Sequence, residues 1–291
     1  MEQIWQWGID IIIYVQKIRT PFIDTFFLAV TYMGTPEFYT LFLPGMYWCF
    51  DKKFTSRIII IFFVSSWSNS VLKSLFNHPR PFELNGLVKV NHAGGPGLPS
   101  GHAQQSLALW LSLALWLKKG LFTFLAVLII LSVSFSRIYL GVHFPTDVFA
   151  GWFLGLIIIT ILWPFFDRIE TYLAGMKSTS VVAAAIILPL LCSFILPTRW
   201  SVMPAGALSG FFTGIILERK FLDFKSADTI RNAILRVLSG MFIIIFILFL
   251  EKMTGLSKKS PYYLLIVYVK SWIMGLWISA GAPWMFRKLK I

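Results

Sequence analysis

Long apolar runs with few or no charged residues recur along the chain, and they constrain its fold more than any other feature. Examples are 58–64, 121–133 and 242–250, each inside a longer apolar stretch that approaches the roughly 20 residues needed to span a bilayer. Only 13% of the residues are charged, against about 25% in a soluble domain. A segment in lipid must satisfy its own backbone hydrogen bonds, and a helix does so locally. The sequence therefore predicts an all-α, polytopic bundle of transmembrane helices.

Two short segments precede the first predicted span. Residues 1–20 are typical of an amphipathic helix in the membrane interface that stops at Pro21, and 21–34 form a second interfacial piece. About nine spans follow, at 36–50, 55–77, 101–117, 120–140, 147–166, 180–197, 203–217, 233–250 and 263–282. We therefore divide the chain into N-terminal interfacial helices at 1–35, a core at 36–170 and an additional C-terminal transmembrane module at 171–291.

Glycines recur at every fourth position in one of the C-terminal spans, at Gly206, Gly210 and Gly214. Small residues at this spacing share one helix face and let a neighbouring helix approach closely. The spacing predicts packing between helices rather than contacts with a ligand.

Lysine and arginine residues gather at the ends of the apolar runs. The net charge of +13 is compatible with nucleic-acid binding, but the basic residues form no single stripe, so we predict no nucleic-acid partner. With alternating threading, and with Lys73, Arg80 and Arg137 set aside as candidate site residues, one side receives about twice as many Lys and Arg residues as the other, which predicts that it is cytoplasmic. The long polar loop at 78–100 then faces outward, and we expect an integral protein of the cell membrane.

Three short polar patches interrupt the apolar sequence. In the predicted threading the first patch ends the second span, the second patch opens the third span, and the third patch joins the fourth span to the fifth. All three patches therefore lie at the same, extracytoplasmic face. Their residues of interest are Lys73, His78 and Arg80 in the first, Ser100, Gly101 and His102 in the second, and Arg137, His143 and Asp147 in the third.

The three patches contain three cations but only one carboxylate, that of Asp147. The cations are Lys73, Arg80 and Arg137. Uncompensated charge at a membrane boundary is costly, so the missing counter-charge is expected to come from a substrate, and arginine suits phosphate oxygens. Ser100 and Gly101 begin a predicted helix, whose free backbone N–H groups favour an anion. The patches therefore predict a phosphate-binding site.

Two histidines could catalyse a reaction at this site. His143 and Asp147 are four residues apart, so the carboxylate could fix the imidazole tautomer and leave the other ring nitrogen as a nucleophile. His102 is placed to protonate a leaving alkoxide and then to activate water. A lone histidine at a membrane edge is more often a satisfied polar residue, but the three patches together favour catalysis. His78 could touch the site, although loop packing is the favoured interpretation, and His92 is interpreted as a loop residue.

A metal-dependent mechanism is not favoured by the sequence. A two-metal phosphatase needs several clustered carboxylates, and the predicted outward face offers few. We predict covalent catalysis with no metal and no other cofactor.

The patches read K-x6-RP, PSGH and SR-x5-H-x3-D, and they resemble the signatures of the type 2 phosphatidic acid phosphatase (PAP2) superfamily. The similarity covers about 21–166 and implies a six-span-like core. It also implies that His143 forms a phosphohistidine, that Asp147 orients it and that His102 is the acid and base. The phosphate ligands implied by the resemblance are Lys73, Arg80, Ser100, Gly101 and Arg137.

The function that fits these observations is that of a lipid phosphatase, which hydrolyses a phosphate monoester or pyrophosphate of a lipid. A lipid phosphotransferase, which passes the phosphoryl group to another alcohol, would use the same residues. A non-catalytic lipid transporter would need charges at mid-depth in several helices, and Lys270 is nearly the only such residue, so this alternative is disfavoured.

Overall fold

The computed structural model describes residues 2–91, 93–253 and 259–291; His92, interpreted above as a loop residue, lies outside these ranges. Across the described residues the regular structure is helical, with no strand, which confirms the all-α prediction. The helices are α1 (Glu2–Val15), α2 (Pro21–Tyr32), α3 (Pro36–Cys49), α4 (Lys52–Phe76), α5 (Pro81–Leu84), α6 (Gly101–Leu117), α7 (Gly120–Tyr139), α8 (Pro145–Leu162), α9 (Phe166–Ala174), α10 (Ser178–Ser193), α11 (Arg199–Phe221), α12 (Ile230–Met253), α13 (Tyr263–Leu276) and α14 (Ala282–Leu289).

Six helical stretches in the described part of the chain are long and apolar enough to cross a membrane. They are Lys52–Leu84, Gly120–Tyr139, Pro145–Leu173, Arg199–Phe221, Ile230–Leu250 and Tyr263–Leu289. The other three predicted spans coincide with α3, α6 and α10, which have 14, 17 and 16 residues and are shorter than the roughly 20 residues that cross a bilayer. The prediction of about nine spans is therefore not confirmed.

Proline and short polar side chains mark where several helices begin. The Thr20 hydroxyl accepts a hydrogen bond from the Ile23 N–H at 3.2 Å, and Pro21 occupies the first turn of α2. Proline suits this position because the first N–H groups of a helix have no partner within the helix. The predicted break at Pro21 is confirmed, and a proline again occupies the first turn at Pro145, where α8 begins.

One compact unit comprises Met1–Tyr39 and Ser68–Trp163. Within it, α6 packs against α7 and α8, while α2 and α1 pack against α7. The Gln16 amide donates to the backbone oxygens of Val88 and Tyr139 at 2.8 and 2.7 Å. These bonds tie the chain after α1 to both the loop before α6 and the end of α7. This unit contains every residue of the three polar patches.

A second compact unit comprises Thr40–Trp67 and Pro164–Ile291. Its helix α11 packs closely against α10 and α13. A side chain at Gly210 would collide with the carbonyl oxygen of Trp272, and one at Gly206 would lie 2.5 Å from that of Tyr268. The predicted packing role of these glycines is confirmed. The division into 1–35, 36–170 and 171–291 stays a prediction.

Candidate active site

The turn between α7 and α8 brings the third patch together. Gly141 has a φ of +68°, a left-handed conformation that glycine adopts readily and that commonly ends a helix. Because of this turn, the N–H groups of Val142 and His143 both point back to the Arg137 carbonyl, at 3.2 and 3.3 Å. A glycine six residues before Asp147 thus places His143 beside the end of α7.

His143 and Asp147 form a buried pair. Nδ1 of the imidazole lies 3.2 Å from Oδ2 of the carboxylate, and the same oxygen accepts the Phe144 N–H at 3.0 Å. The side chain of His143 is 3% exposed and that of Asp147 is 0% exposed. The Asp147 carbonyl also accepts the Ser100 N–H at 2.9 Å, so the start of α8 is tied directly to the start of α6.

Arg80 faces the other side of the imidazole. Its Nη1 lies 3.2 Å from His143 Nε2 and donates to the Val142 carbonyl at 2.8 Å. Its Nε and Nη2 donate to the carbonyls of Gly95 and Gly94 at 2.7 and 2.9 Å. A guanidinium can only donate, so Nε2 of His143 must be unprotonated and the ring proton must lie on Nδ1, toward the carboxylate.

The charge state of His143 agrees with this tautomer. Burial, followed by the positive charges of Lys73 and Arg80, lowers the pKa of His143 well below its usual value of 6.5. An imidazole in this environment is neutral near pH 7, which is the form that can attack an electrophile.

Lys73 and Arg137 bring two further cations to the site. Nζ of Lys73 donates to the carbonyls of Pro96 and Gly97 at 2.5 and 2.8 Å. Nη1 of Arg137 donates to the Thr31 hydroxyl at 2.5 Å, whereas its buried Nε has no hydrogen-bond partner among the described residues. The structure therefore leaves Arg137 with donor capacity for an anion.

Ser100, Gly101 and His102 open helix α6. The Ser100 hydroxyl is buried and, within the described residues, has no hydrogen-bond partner. His102 is partly buried, and its ring lies so close to Gly34 that a side chain there would come within 2.6 Å of it. The charges of the three cations act on His102, and His102 in turn acts on His143. The second patch thus lies beside the other two.

His78 also reaches this site. Its Nδ1 lies 3.5 Å from Asp147 Oδ1, and its Nε2 accepts a hydrogen bond from the Trp5 indole at 2.7 Å. Loop packing was the favoured interpretation of His78 from the sequence, but the structure places it against the carboxylate.

Several residues that contact the site or lie beside it were not predicted from the sequence. Thr31 and Trp5 come from the N-terminal helices, and nothing in the sequence distinguishes them from the other polar and aromatic residues of α1 and α2. Asn69 lies one turn before Lys73; its amide donates to the Gln104 side chain at 2.7 Å and to the Pro99 carbonyl at 3.3 Å. The four-residue spacing from Lys73 could have indicated that Asn69 shares a helix face with the site.

Two curated relatives match most of this chain. Lipid phosphate phosphatase delta of Arabidopsis thaliana is 23% identical over 226 residues, which cover 72% of this chain and 54% of that protein. Sphingosine-1-phosphate phosphatase 1 of Mus musculus is 26% identical over 249 residues, covering 76% and 58%. The chain thus spans about half the length of these curated relatives.

A solved structure shares the fold. The crystal structure of a transmembrane PAP2 type phosphatidylglycerolphosphate phosphatase from Bacillus subtilis aligns with a TM-score of 0.52 and 23% identity. The alignment covers 58% of this chain and 89% of that one.

Two family models match separate parts of the sequence. The first, described as the PAP2 superfamily, matches residues 54–170 and includes all three patches. The second, described as the PAP2 superfamily phosphatase, transmembrane extension, matches residues 202–291. Together they account for the region of the site and for the C-terminal helices, and the chain belongs to the PAP2 superfamily.

Proposed function

We propose that this protein is an integral membrane phosphatase that removes the phosphate from a lipid phosphate monoester through a covalent intermediate on His143. The observation that carries the proposal is the buried His143–Asp147 pair, whose unprotonated Nε2 lies 3.2 Å from the Arg80 guanidinium. A nucleophilic nitrogen beside a cation that can bind phosphate is the arrangement that phosphoryl transfer through a phosphohistidine requires.

In the first step, Nε2 of His143 attacks the phosphorus, and the bond from phosphorus to the lipid oxygen breaks. The Asp147 carboxylate stabilises the positive charge that develops on the imidazole. The negative charge of the bound phosphate favours the protonated form of His102, and this imidazolium donates its proton to the departing alkoxide. The products are the free lipid alcohol and a phosphohistidine.

In the second step, water attacks the phosphorus and the bond to Nε2 breaks. His102, now unprotonated, takes a proton from the water, and inorganic phosphate leaves. Throughout both steps, positive charge and hydrogen-bond donors compensate the phosphoryl oxygens. These groups belong to Lys73, Arg80, Arg137, Ser100 and Gly101.

The charges around His143 support a mechanism without a metal. Three cations, Lys73, Arg80 and Arg137, act on His143, and the first two also act on the Asp147 carboxylate. A divalent cation would be repelled by this field and would need several oxygen ligands. The side chains themselves supply the positive charge that metals provide in other phosphatases.

The names of the relatives support a lipid monophosphate as substrate. The two curated relatives and the B. subtilis structure are named for a lipid phosphate, sphingosine-1-phosphate and phosphatidylglycerolphosphate. We place the reaction at the extracytoplasmic face of the cell membrane, where the bias of Lys and Arg residues positions the three patches.

A phosphate-release assay tests this proposal. The purified full-length chain in EDTA is incubated with a panel of lipid monophosphates and one polyprenyl pyrophosphate. We expect phosphate release from at least one monoester, its loss in His143→Ala, and its retention in Lys89→Ala, which changes an exposed loop cation. Full activity of His143→Ala would contradict the mechanism, and dependence on an added divalent metal would contradict metal independence. Transfer to an added alcohol in place of water would indicate a phosphotransferase.

A further inference from the structure

The two oxygens of Asp147 have different surroundings. Oδ2 interacts with Nδ1 of His143 and with the Phe144 N–H. Oδ1 is buried and has no hydrogen-bond partner among the described residues. The nearest charged or chargeable group to Oδ1 is Nδ1 of His78, at 3.5 Å, and this atom is also buried and unpaired within the same part of the chain. The two unsatisfied atoms therefore face each other.

Trp5 determines which atom of His78 carries the proton. The indole N–H can only donate, and it lies 2.7 Å from Nε2 of His78. Nε2 must therefore accept, which places the proton of a neutral His78 on Nδ1. A donor on His78 then faces an acceptor on Asp147, so the contact is attractive without any net charge on His78.

Aromatic packing holds the His78 ring in this orientation. The Trp5 ring meets it edge to face, with centroids 5.4 Å apart and planes at 67°. On the other side, the Phe144 ring lies 5.8 Å away at 78°. Phe144 in turn packs in a buried cluster with Ile9 and Ile12 of α1, so the helix that carries Trp5 is anchored to the start of α8.

We propose that His78 and Trp5 are positioning residues for the catalytic pair, and this proposal rests on the proposed function. Trp5 sets the tautomer of His78, and His78 donates to the second oxygen of Asp147. With both oxygens engaged, the carboxylate is held in the orientation that directs the imidazole of His143. The 3.5 Å separation shortens when phosphate is bound, since catalytic hydrogen bonds often tighten only in the substrate complex.

In this arrangement α1 contributes Trp5 to the positioning of the catalytic pair. Neither residue contacts the phosphate, because Asp147 lies between them and His143. A change at either position should therefore lower kcat and leave KM nearly unchanged. Lys73 and Arg80 are the cations whose charges act on Asp147, and both remain in place in the variants below.

The test compares variants that differ by one hydrogen bond. His78→Leu removes the donor, whereas His78→Asn retains an N–H group close to the position of Nδ1. Trp5→Phe retains an aromatic ring against His78 but removes the indole donor. Trp7→Phe makes the same change at an exposed site of the same helix and is the matched control. Each full-length variant is assayed for kcat and KM and for thermal unfolding.

We expect kcat to fall about tenfold or more in His78→Leu, since hydrogen bonds to charged groups are among the stronger ones. His78→Asn should recover most of that loss, and Trp5→Phe should fall between the two. In the double variant Trp5→Phe/His78→Leu, kcat should equal that of His78→Leu alone, because Trp5 acts only through His78.

Two outcomes would overturn the proposal. One is an unchanged kcat in His78→Leu; the other is a loss that His78→Asn does not rescue while unfolding temperatures stay equal. Failure of the proposed function is distinct from both, because in that case the unmodified protein would itself release no phosphate and His143→Ala would change nothing.

Discussion

The imidazole of His143 contacts both a carboxylate and a guanidinium. Asp147 engages Nδ1 and Arg80 faces Nε2, so both ring nitrogens have a partner of fixed chemistry. A carboxylate on one side and a guanidinium on the other allow one tautomer only. In the proposed mechanism the nucleophile is therefore oriented before any substrate binds, and the energetic cost of orienting it is met during folding.

The lowered pKa of His143 leads to a prediction for the pH profile. The unprotonated ring is the reactive form, and burial together with the charges of Lys73 and Arg80 lowers its pKa. Lowering the pKa extends the reactive form to lower pH, so the acid limb of kcat/KM that belongs to His143 should lie below pH 6.5. A profile of kcat/KM against pH in the free enzyme measures it.

Removing one of these cations should move that limb in a known direction. In Lys73→Met, His143 loses a positive neighbour, its pKa rises, and the acid limb should shift to higher pH. Lys89→Met, which removes an exposed charge, should leave the limb in place. An acid limb that stays fixed in Lys73→Met would contradict the assignment to His143.

At the scale of single elements, the turn between α7 and α8 has no space for a side chain at Gly141. Gly141 combines a φ of +68° with a position where a side chain would collide with the Val88 carbonyl oxygen. The turn requires a residue that adopts a left-handed conformation and carries no side chain, because the loop before α6 packs directly on it.

Gly141→Ala should therefore destabilise the protein. The left-handed conformation alone costs a non-glycine residue about 1–2 kcal/mol, and the collision with Val88 adds to that. Thermal unfolding in detergent should show a lowered Tm, accompanied by reduced activity. Gly120→Ala, at the start of α7 where a side chain meets nothing within 4 Å, is the control and should change neither. An unchanged Tm in Gly141→Ala would show that the turn can adopt another conformation.

Much of the site was predictable from the order of the elements. The apolar runs predicted helices, and alternating spans predicted that the three patches meet; His143, Asp147 and Arg80 do lie together. The contacts of Trp5 and Thr31 were not predictable, because they depend on how α1 and α2 pack against α7 and the neighbouring loop. The prediction of about nine spans was not confirmed for a related reason: apolar helices of 14 to 17 residues resemble spans in composition but are shorter.

At the scale of the whole molecule, the bias of Lys and Arg residues predicts that the site lies at the extracytoplasmic face of the membrane. Two residues of the same compact unit are suited to test this orientation. Leu87 is 88% exposed beside Val88, which lies against Gly141 just after the end of α7, and Lys119 is exposed at the start of α7. The 20 residues of α7, one of the stretches long enough to cross a membrane, separate its two ends by about 30 Å at the helical rise of 1.5 Å per residue.

We expect Leu87→Cys to react with a membrane-impermeant maleimide in intact cells, and Lys119→Cys to react only after the membrane is permeabilised. Both substitutions are made in a background in which Cys49 and Cys192, the two cysteines of the chain, are replaced by serine. Phosphate release in each variant verifies that the fold is intact. The reverse labelling pattern would place the site at the cytoplasmic face.

The backbone carbonyls that hold Arg80 and Lys73 also affect how the enzyme recovers after turnover. In the free protein these cations are engaged by oxygens of the segment 94–97. In the proposed mechanism a phosphate that binds these cations would exchange with existing partners instead of filling an empty, highly charged pocket. Inorganic phosphate would meet the same competition, so we expect weak product inhibition and a selectivity that depends on the lipid attached to the phosphate.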